Sequence, residues 1–151
     1  MNFKILICVI SITLFSCATP KYDVIIVGGG ASGITAAIQS SRLGSKTLLI
    51  EKTDWLGGML TSAGVSAMDG NYNMPSGFIN EFRDSLVSYY GSLENLKTGW
   101  VSNIMFEPLV GNKILNSIAQ KQDNLEIIFN SRVKKISNKN HNWEVNFDTN
   151  T

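Results

Sequence analysis

The sequence predicts an α/β fold in which a parallel β-sheet is flanked by helices. Two continuous apolar runs, at 23–27 and 46–50, are typical of strands buried on both faces. Between them, residues 31–43 are rich in Ala, Ile and Ser and predict a helix that Gly44 ends as a C-cap. A strand, a helix and a second strand in this order form a unit with parallel strands and a right-handed crossover.

The segments that follow extend this α/β pattern. Glycine and asparagine are frequent in the next stretch, which predicts a loop, and the later apolar periodicity predicts helices before further strands. In chain order we expect a loop (53–76), an amphipathic helix (77–90) stopped by Gly91, a helix (106–122) with Pro108 in its first turn, a strand (125–129) and two strands of a meander (132–137 and 142–147).

Composition narrows the class of function. The chain has 151 residues, a formal net charge of +1 and 17% charged residues, so it carries no basic or acidic excess and we expect no nucleic-acid partner. Its length suits one domain. The acidic residues lack metal-ligand spacing, and the single histidine, His141, lies in a polar turn. We therefore expect neither a metal site nor a histidine base.

The first residues predict a targeting signal. Lys4 precedes an apolar run at 5–15 that is short for a membrane span, a pattern typical of a secretory signal. The segment Leu14-Phe15-Ser16-Cys17 resembles the lipobox of bacterial lipoproteins, although Phe15 is bulkier than usual. This resemblance implies that residues 1–16 are removed and that Cys17 carries lipid.

In that interpretation, residues 17–21 form a short tether and the protein is anchored in the bacterial cell envelope, on the periplasmic side. Cys8 would be removed with the signal, which leaves no thiol for a disulfide or for nucleophilic chemistry. The alternatives are an uncleaved anchor helix, or an ordinary signal peptide with a cysteine there by chance.

A glycine motif predicts the chemistry of the fold. Residues 28–33 read Gly-Gly-Gly-Ala-Ser-Gly and fit G-x-G-x-x-G. The motif alone is weak evidence, but it follows a predicted strand and opens a predicted helix. Glu51 follows Gly33 by 18 positions, at the end of the second strand. This context indicates a dinucleotide-binding site, the alternative being a glycine-rich turn of another α/β fold.

Each motif position has a physical reason. Gly28 allows the tight turn out of the strand, Gly30 lets a pyrophosphate approach the backbone, and Gly33 lets the helix pack closely on the sheet. The pyrophosphate then meets free backbone N–H groups at the start of the helix, which we assign to Ala31 and Ser32 together with the glycines.

The end of the second strand should bind the adenosine. The carboxylate of Glu51 can accept hydrogen bonds from ribose hydroxyls, and we expect Lys52 beside it to contribute to the same site. An acid at this place would repel a 2′-phosphate, which disfavours NADP.

The segment after Glu51 carries a family resemblance. Leu56-Gly57-Gly58-Met59, with Thr61 two residues on, is similar to the L-G-G-M-x-T/S segment of a bacterial group of FAD-dependent oxidoreductases with the glutathione-reductase-like, FAD/NAD(P)-binding Rossmann-type fold. The resemblance implies FAD as cofactor and flavin-mediated hydride or electron transfer on an unknown small-molecule substrate. It places Gly57, Gly58 and Met59 against the inner face of the cofactor. A flexible surface loop is the alternative.

The same resemblance assigns two later parts of the chain. The family holds adenine with a backbone group just after the third strand, which implies Val133; a packing role for Val133 is equally open. Residues 99–108 would face the substrate side, or pack as the start of a helix. No catalytic residue is assigned, because the flavin itself carries the redox chemistry.

The resemblance also indicates which part of the family's FAD-binding domain this sequence matches. The family pattern includes a third meander strand, two more parallel strands, a late Gly-Asp segment and a substrate domain, and this sequence matches none of them. We therefore expect residues 22–151 to be the N-terminal part of an FAD-binding domain, incomplete at its C-terminus. The remainder would come from a longer or separate chain. The alternatives are a non-catalytic truncated remnant and a dinucleotide-binding module, including one for NAD.

Overall fold

A computed structural model describes residues 20–70, 72–100 and 102–149. The expected signal segment 1–16, the lipidation site Cys17 and most of the expected tether lie outside these residues. Within the part of the chain that is described, no helix is both long enough and apolar enough to cross a membrane.

Five strands and three α-helices make up the described fold. The strands are β1 (Val24–Val27), β2 (Thr47–Ile50), β3 (Leu125–Ile128), β4 (Ser131–Lys139) and β5 (Asn142–Thr149). The helices are α1 (Ala31–Arg42), α2 (Gly77–Tyr90) and α3 (Pro108–Ala119), with short 3₁₀ turns at Gly58–Leu60 and Glu94–Leu96.

The first three strands form one parallel sheet in the order β1-β2-β3. Val27 of β1 pairs with Ile50 of β2, and Ile50 pairs with Ile128 of β3. The predicted α/β class with a parallel sheet is therefore confirmed. Because the strands run in the same direction, their carboxyl ends meet at one edge, where ligands of open parallel sheets bind. We call this edge of the sheet the carboxyl edge.

The core lies between the sheet and the helices. All four residues of β2 are buried, as expected for the central strand. Helix α1 presents Ile34, Ala37 and Ile38 to the core at helical spacing, and all three are fully buried. Full burial of each large aliphatic side chain contributes about 1.5–3 kcal/mol. Helices α2 and α3 add Phe82, Leu86, Val110, Leu115 and Ile118 to the same cluster.

The observed ends of α2 agree with the ends predicted from the sequence, whereas those of α3 do not. Helix α2 spans the predicted residues and ends at Gly91, whose left-handed φ of 86° lets its N–H donate to the Val87 carbonyl. Helix α3 is shorter than the predicted 106–122. It begins at Pro108, because Glu107 before the proline is extended, with ψ of 136°, and the N–H of Phe106 donates to the carbonyl of Ser66.

Strands β4 and β5 form a separate antiparallel hairpin, which confirms the predicted pair of meander strands and lengthens both. Asn140 and His141 occupy the turn with φ of 51° and 63°. Two successive left-handed residues match the twist of the hairpin. His141 is thus a turn residue, as its polar surroundings predict.

One ion pair joins α1 to α2 on the surface. The guanidinium of Arg42 donates to both carboxylate oxygens of Glu81, at 2.8 and 2.7 Å. This hydrogen bonding lowers the pKa of Glu81 and raises the pKa of Arg42. A carboxylate with a lowered folded pKa stabilises the fold above its unfolded pKa, and the contribution disappears as the pH falls through the folded pKa.

We expect Glu81→Gln to lower the melting temperature at pH 7 by about 1–2 °C, the value of an exposed pair worth about 0.5 kcal/mol. The difference should shrink as the pH falls below about 4.3, the ordinary glutamate value, and through the lowered pKa of Glu81, and should be smallest at about pH 2. Thermal unfolding followed by circular dichroism at both pH values measures it, with Arg42→Gln/Glu81→Gln as the control that should add no further loss. A difference independent of pH would contradict the assignment.

Candidate functional site

Two glycine segments meet at the carboxyl edge. The N–H of Gly28 donates to the Ile50 carbonyl at 2.8 Å, which continues the β1–β2 pairing into the loop. The N–H of Gly57 donates to the Gly29 carbonyl at 2.8 Å, and Gly30 and Gly57 form an isolated parallel bridge. The motif after β1 and the glycine pair after β2 are therefore in direct backbone contact.

Helix α1 begins at this contact with free donors. Gly30 is the N-cap, and the first intrahelical bond runs from the Ile34 N–H to the Gly30 carbonyl. The N–H groups of Ala31, Ser32 and Gly33 precede that bond and have no partner within the helix. No side chain caps this end and its first turn holds no acid. Free N–H groups and the positive end of the helix dipole together favour an anion.

The three motif glycines have different surroundings. Gly28 has a φ of 96°, which L side chains rarely adopt. A methyl group on Gly30 would meet no protein atom within 4 Å, so the space above the helix N-terminus is open. A methyl group on Gly33 would overlap the Gly28 carbonyl oxygen and touch the Ile26 side chain. Gly33 thus lets α1 lie against the end of β1.

The buried Glu51 carboxylate ties the motif loop to the end of β2. Its side chain belongs to a residue only 6% exposed. Oε2 accepts the Gly29 N–H at 2.5 Å, and Oε1 accepts both the N–H and the hydroxyl of Thr53, each at 2.8 Å. A carboxylate offers about four acceptor positions, so about one, on Oε2, stays open. Glu51 therefore has a structural role that the sequence did not predict.

The glycine pair packs against protein as well as facing the edge. Gly57 has a φ of 104°, and a methyl group there would lie 2.7 Å from side-chain atoms of Leu115 and Thr61. Gly58 has a φ of 54°, and a methyl group there would lie 3.0 Å from the Cα of Gly30. Both glycines are thus needed for close packing, a reason additional to the predicted contact with a cofactor.

Two residues that sequence reasoning missed fix this second loop. The Asn112 Oδ1 on α3 accepts the N–H of the fully buried Leu56 at 2.9 Å. The Thr61 hydroxyl donates to the Leu56 carbonyl at 2.5 Å. Thr61 belongs to the segment that carries the family resemblance, so a signal for it existed. Asn112 is 56 residues from Leu56, and no local pattern points to it.

The remaining predicted residues lie at different distances from the edge. Lys52 follows Glu51 and is exposed, and Met59 is 69% exposed on the 3₁₀ turn of the glycine pair. The Ser131 N–H donates to the Glu51 carbonyl at 2.9 Å, which brings the start of β4 to the site. Val133 lies two residues further along β4, half-buried and paired with Phe147. The role of Val133 stays a prediction.

Two further expectations concern other parts of the chain. In the segment 99–108, Trp100 is fully exposed whereas Phe106 is buried against Phe82 at a ring-centroid distance of 5.4 Å. One end of that segment therefore packs in the core and the other faces solvent. Among the residues with described placement, no group of three or more His, Cys, Asp and Glu side chains could hold a metal ion.

Comparison with known proteins agrees with this geometry. The family described as FAD dependent oxidoreductase matches residues 23–151. The NADH:fumarate oxidoreductase of Klebsiella pneumoniae (strain 342) is 37% identical over 89 residues. That alignment covers 57% of this chain and 9% of the Klebsiella protein, so the chain matches only a small part of this relative's length.

Solved structures share the fold at low sequence identity. The p-nitrophenol 4-monooxygenase of Pseudomonas putida superimposes with a TM-score of 0.57 at 14% identity, over 83% of this chain and 35% of that enzyme. OTEMO in complex with FAD and NADP superimposes with a TM-score of 0.51 at 20% identity, over 89% of this chain and 24% of that protein.

The contact between Gly33 and the Gly28 carbonyl generates a stability prediction. We expect Gly33→Ala to destabilise the fold by about 2 kcal/mol and to lower the melting temperature by about 4–8 °C, because the added methyl group forces α1 away from β1. Gly70→Ala is the matched control, since a methyl group there meets no atom within 4 Å. The control should stay within about 0.5 kcal/mol of wild type in urea unfolding. Equal stability of the two variants would contradict the packing role of Gly33.

Proposed function

Because this chain belongs to the family of FAD dependent oxidoreductases, we propose that its carboxyl edge holds the pyrophosphate and adenosine of FAD, the cofactor of the family. One observation carries the proposal. The uncapped N-terminus of α1 faces open space above Gly30, directly beside the buried Glu51 carboxylate. An anion site and a ribose acceptor thus lie side by side.

The residues present fit the charge of a pyrophosphate. The first turn of α1 has no acid that would repel it, and the side chains of Ala31 and Ser32 are small. The N–H groups at this turn have no acceptor within the helix. In the proposed complex they donate to phosphate oxygens. Gly30 permits the close approach because no Cβ stands between the phosphate and the backbone.

The adenosine half of FAD would lie along the end of β2. Glu51 keeps an acceptor position on Oε2 for a ribose hydroxyl, and exposed Lys52 follows it. The proposed adenine contact is the backbone near Val133, supported by the bond from Ser131 to Glu51, which holds the start of β4 against this strand end. Gly57, Gly58 and Met59 would contact the cofactor further toward its flavin.

FAD, when bound, supplies the hydride or electron transfer, and the chain binds and orients it. We propose that the protein as a whole oxidises or reduces a small molecule. The aligned part covers 9% of the Klebsiella relative, and we propose that a longer or separate chain supplies the substrate-binding part.

The N-terminal sequence supports a second part of the proposal, a lipid anchor on Cys17 in the bacterial cell envelope. The support is the basic residue Lys4, the apolar run 5–15 and the Leu-Phe-Ser-Cys segment that ends at Cys17. Cys17 is only seven residues from the first residue of β1, Val24, a span of at most about 25 Å. An anchored domain would therefore lie close to the membrane surface.

The first test is FAD binding by the full chain. Wild type should quench FAD fluorescence saturably. Gly30→Ala should bind FAD about 10-fold or more weakly, because its methyl group occupies the phosphate approach. The variant should keep its melting temperature, since Gly30 has a φ of −60° and open space around it. Riboflavin, which has no pyrophosphate, should bind both proteins equally.

Three outcomes would contradict parts of this proposal. Unchanged FAD affinity in Gly30→Ala would contradict the pyrophosphate assignment. Displacement of FAD by equimolar NADH would favour an NAD-binding module. Absence of quenching by folded wild-type protein would leave a fold without a working FAD site, the non-catalytic remnant. Glu51 is a poorer first probe, because its replacement also strips Gly29 and Thr53 of their acceptor.

The lipid anchor has its own test. We expect a bacterial expression host to incorporate radiolabelled palmitate into the wild-type chain and to recover the protein in the membrane fraction. Cys17→Ser should abolish both, whereas Cys8→Ser, within the predicted signal, should leave both unchanged. Equal labelling of wild type and Cys17→Ser would refute lipidation at Cys17.

A further inference from the structure

We propose that Thr53 is a positioning residue that prepares Glu51 to bind both hydroxyls of the adenosine ribose. The proposal rests on the proposed FAD site and deepens it. Neither the glycine motif nor the family resemblance assigned Thr53 a role, and its N–H and its hydroxyl both reach the one buried carboxylate of the site.

Thr53 holds one oxygen of that carboxylate with two donors. Its N–H and its hydroxyl both donate to Oε1 of Glu51, at 2.8 Å each. The other oxygen, Oε2, accepts the Gly29 N–H. With Glu51 only 6% exposed, these protein donors rather than water fix the orientation of the carboxylate.

The Glu51 carboxylate has too few open acceptor positions for both ribose hydroxyls. Three donors occupy three of about four acceptor positions, and the open one lies on Oε2. A ribose presents two neighbouring hydroxyls. If all three internal bonds persisted, Glu51 could accept only one of them.

The hydroxyl of Thr53 can relieve this shortage because it has a second acceptor. The Trp55 carbonyl lies 3.2 Å from Oγ1, against 2.8 Å for Glu51 Oε1, and a hydroxyl has a single proton to donate. Rotation of the O–H bond toward Trp55 frees a position on Oε1 and leaves the hydroxyl paired. The Trp55 N–H donates to Oγ1 at 3.2 Å and keeps the oxygen in place in both arrangements.

Thr53 therefore has two roles in one cycle of binding. Without ligand, its hydroxyl satisfies and orients the buried carboxylate. With ligand, the Thr53 hydroxyl donates to the Trp55 carbonyl instead, and Oε1 accepts a ribose hydroxyl. The site then binds both ribose hydroxyls while every internal donor keeps a partner.

The test compares ADP with 2′,3′-dideoxy-ADP by isothermal titration on the full chain. Thr53→Val keeps the shape of the side chain but removes its hydroxyl, which loosens the carboxylate and the turn to Trp55. We expect this variant to bind ADP about 2- to 10-fold more weakly than wild type, because a loosened carboxylate must be ordered when the ligand binds. Dideoxy-ADP should bind both proteins equally, because it lacks the hydroxyls through which Thr53 acts. Thr53→Ser should restore wild-type affinity for ADP.

A purely structural role of Thr53 would weaken both ligands to the same extent, and that result would overturn the inference while the FAD site stands. Unchanged ADP affinity in Thr53→Val would overturn it as well. Absence of FAD and ADP binding by folded wild type would refute the proposed function and the inference together.

A second measurement needs no variant. Wild type should bind 2′-deoxy-ADP and 3′-deoxy-ADP each about 3- to 10-fold more weakly than ADP, because Glu51 accepts both hydroxyls. If only one of the two deletions weakens binding, the carboxylate offers a single acceptor position, and the release of Oε1 by Thr53 is overturned.

Discussion

The carboxylate of Glu51 joins the parts from which the site is built. Through Oε2 it holds the loop that leaves β1, and through Oε1 it holds the turn that leaves β2. The next backbone groups extend the same junction, since the Glu51 N–H donates to Ile128 and its carbonyl accepts from Ser131. A buried carboxyl group is tolerated only with such partners, and the side chain and backbone of this one residue together join the ends of three parallel strands.

Close backbone packing gives this junction its shape. Gly33 lies against the Gly28 carbonyl, and Gly58 lies against Gly30, at distances that leave no room for a Cβ. Gly33 and Gly58 therefore allow close packing of the loops, while the space beside Gly30 at the helix N-terminus stays open. An anion can reach the free N–H groups of α1 because the same residues that pack the loops present no side chain to it.

Helix α3 extends the support away from the sheet. Asn112 holds the N–H of Leu56, and Leu115 fills the space beside Gly57. The second glycine loop is thus clamped between the motif loop and a helix that follows it by about fifty residues in sequence. A site on rigid elements with this kind of backing is held in one geometry before any ligand arrives.

The sequence by itself determined the elements and their class. Local signals were sufficient for β1, β2, the span of α2 up to Gly91 and the hairpin turn at Asn140 and His141, because periodicity, glycine and turn chemistry act over a few residues. The glycine motif with Glu51 predicts a dinucleotide site, and the structure brings these residues together at the carboxyl edge. The same patterns overestimated α3, where Phe106 forms an extended contact with the distant Ser66.

Only the tertiary structure decided what each site residue touches. The bonds from Gly29 to Glu51 and from Leu56 to Asn112 span 22 and 56 residues. Thr53 is close to Glu51 in sequence, yet its role depends on where the buried carboxylate turns. A sequence pattern does not reveal side-chain partners of this kind. A single hydrogen bond constrains the two residues that form it and does not constrain the residues between them. Local sequence patterns therefore predict the fold, whereas the packing of the loops decides which contacts the site residues make.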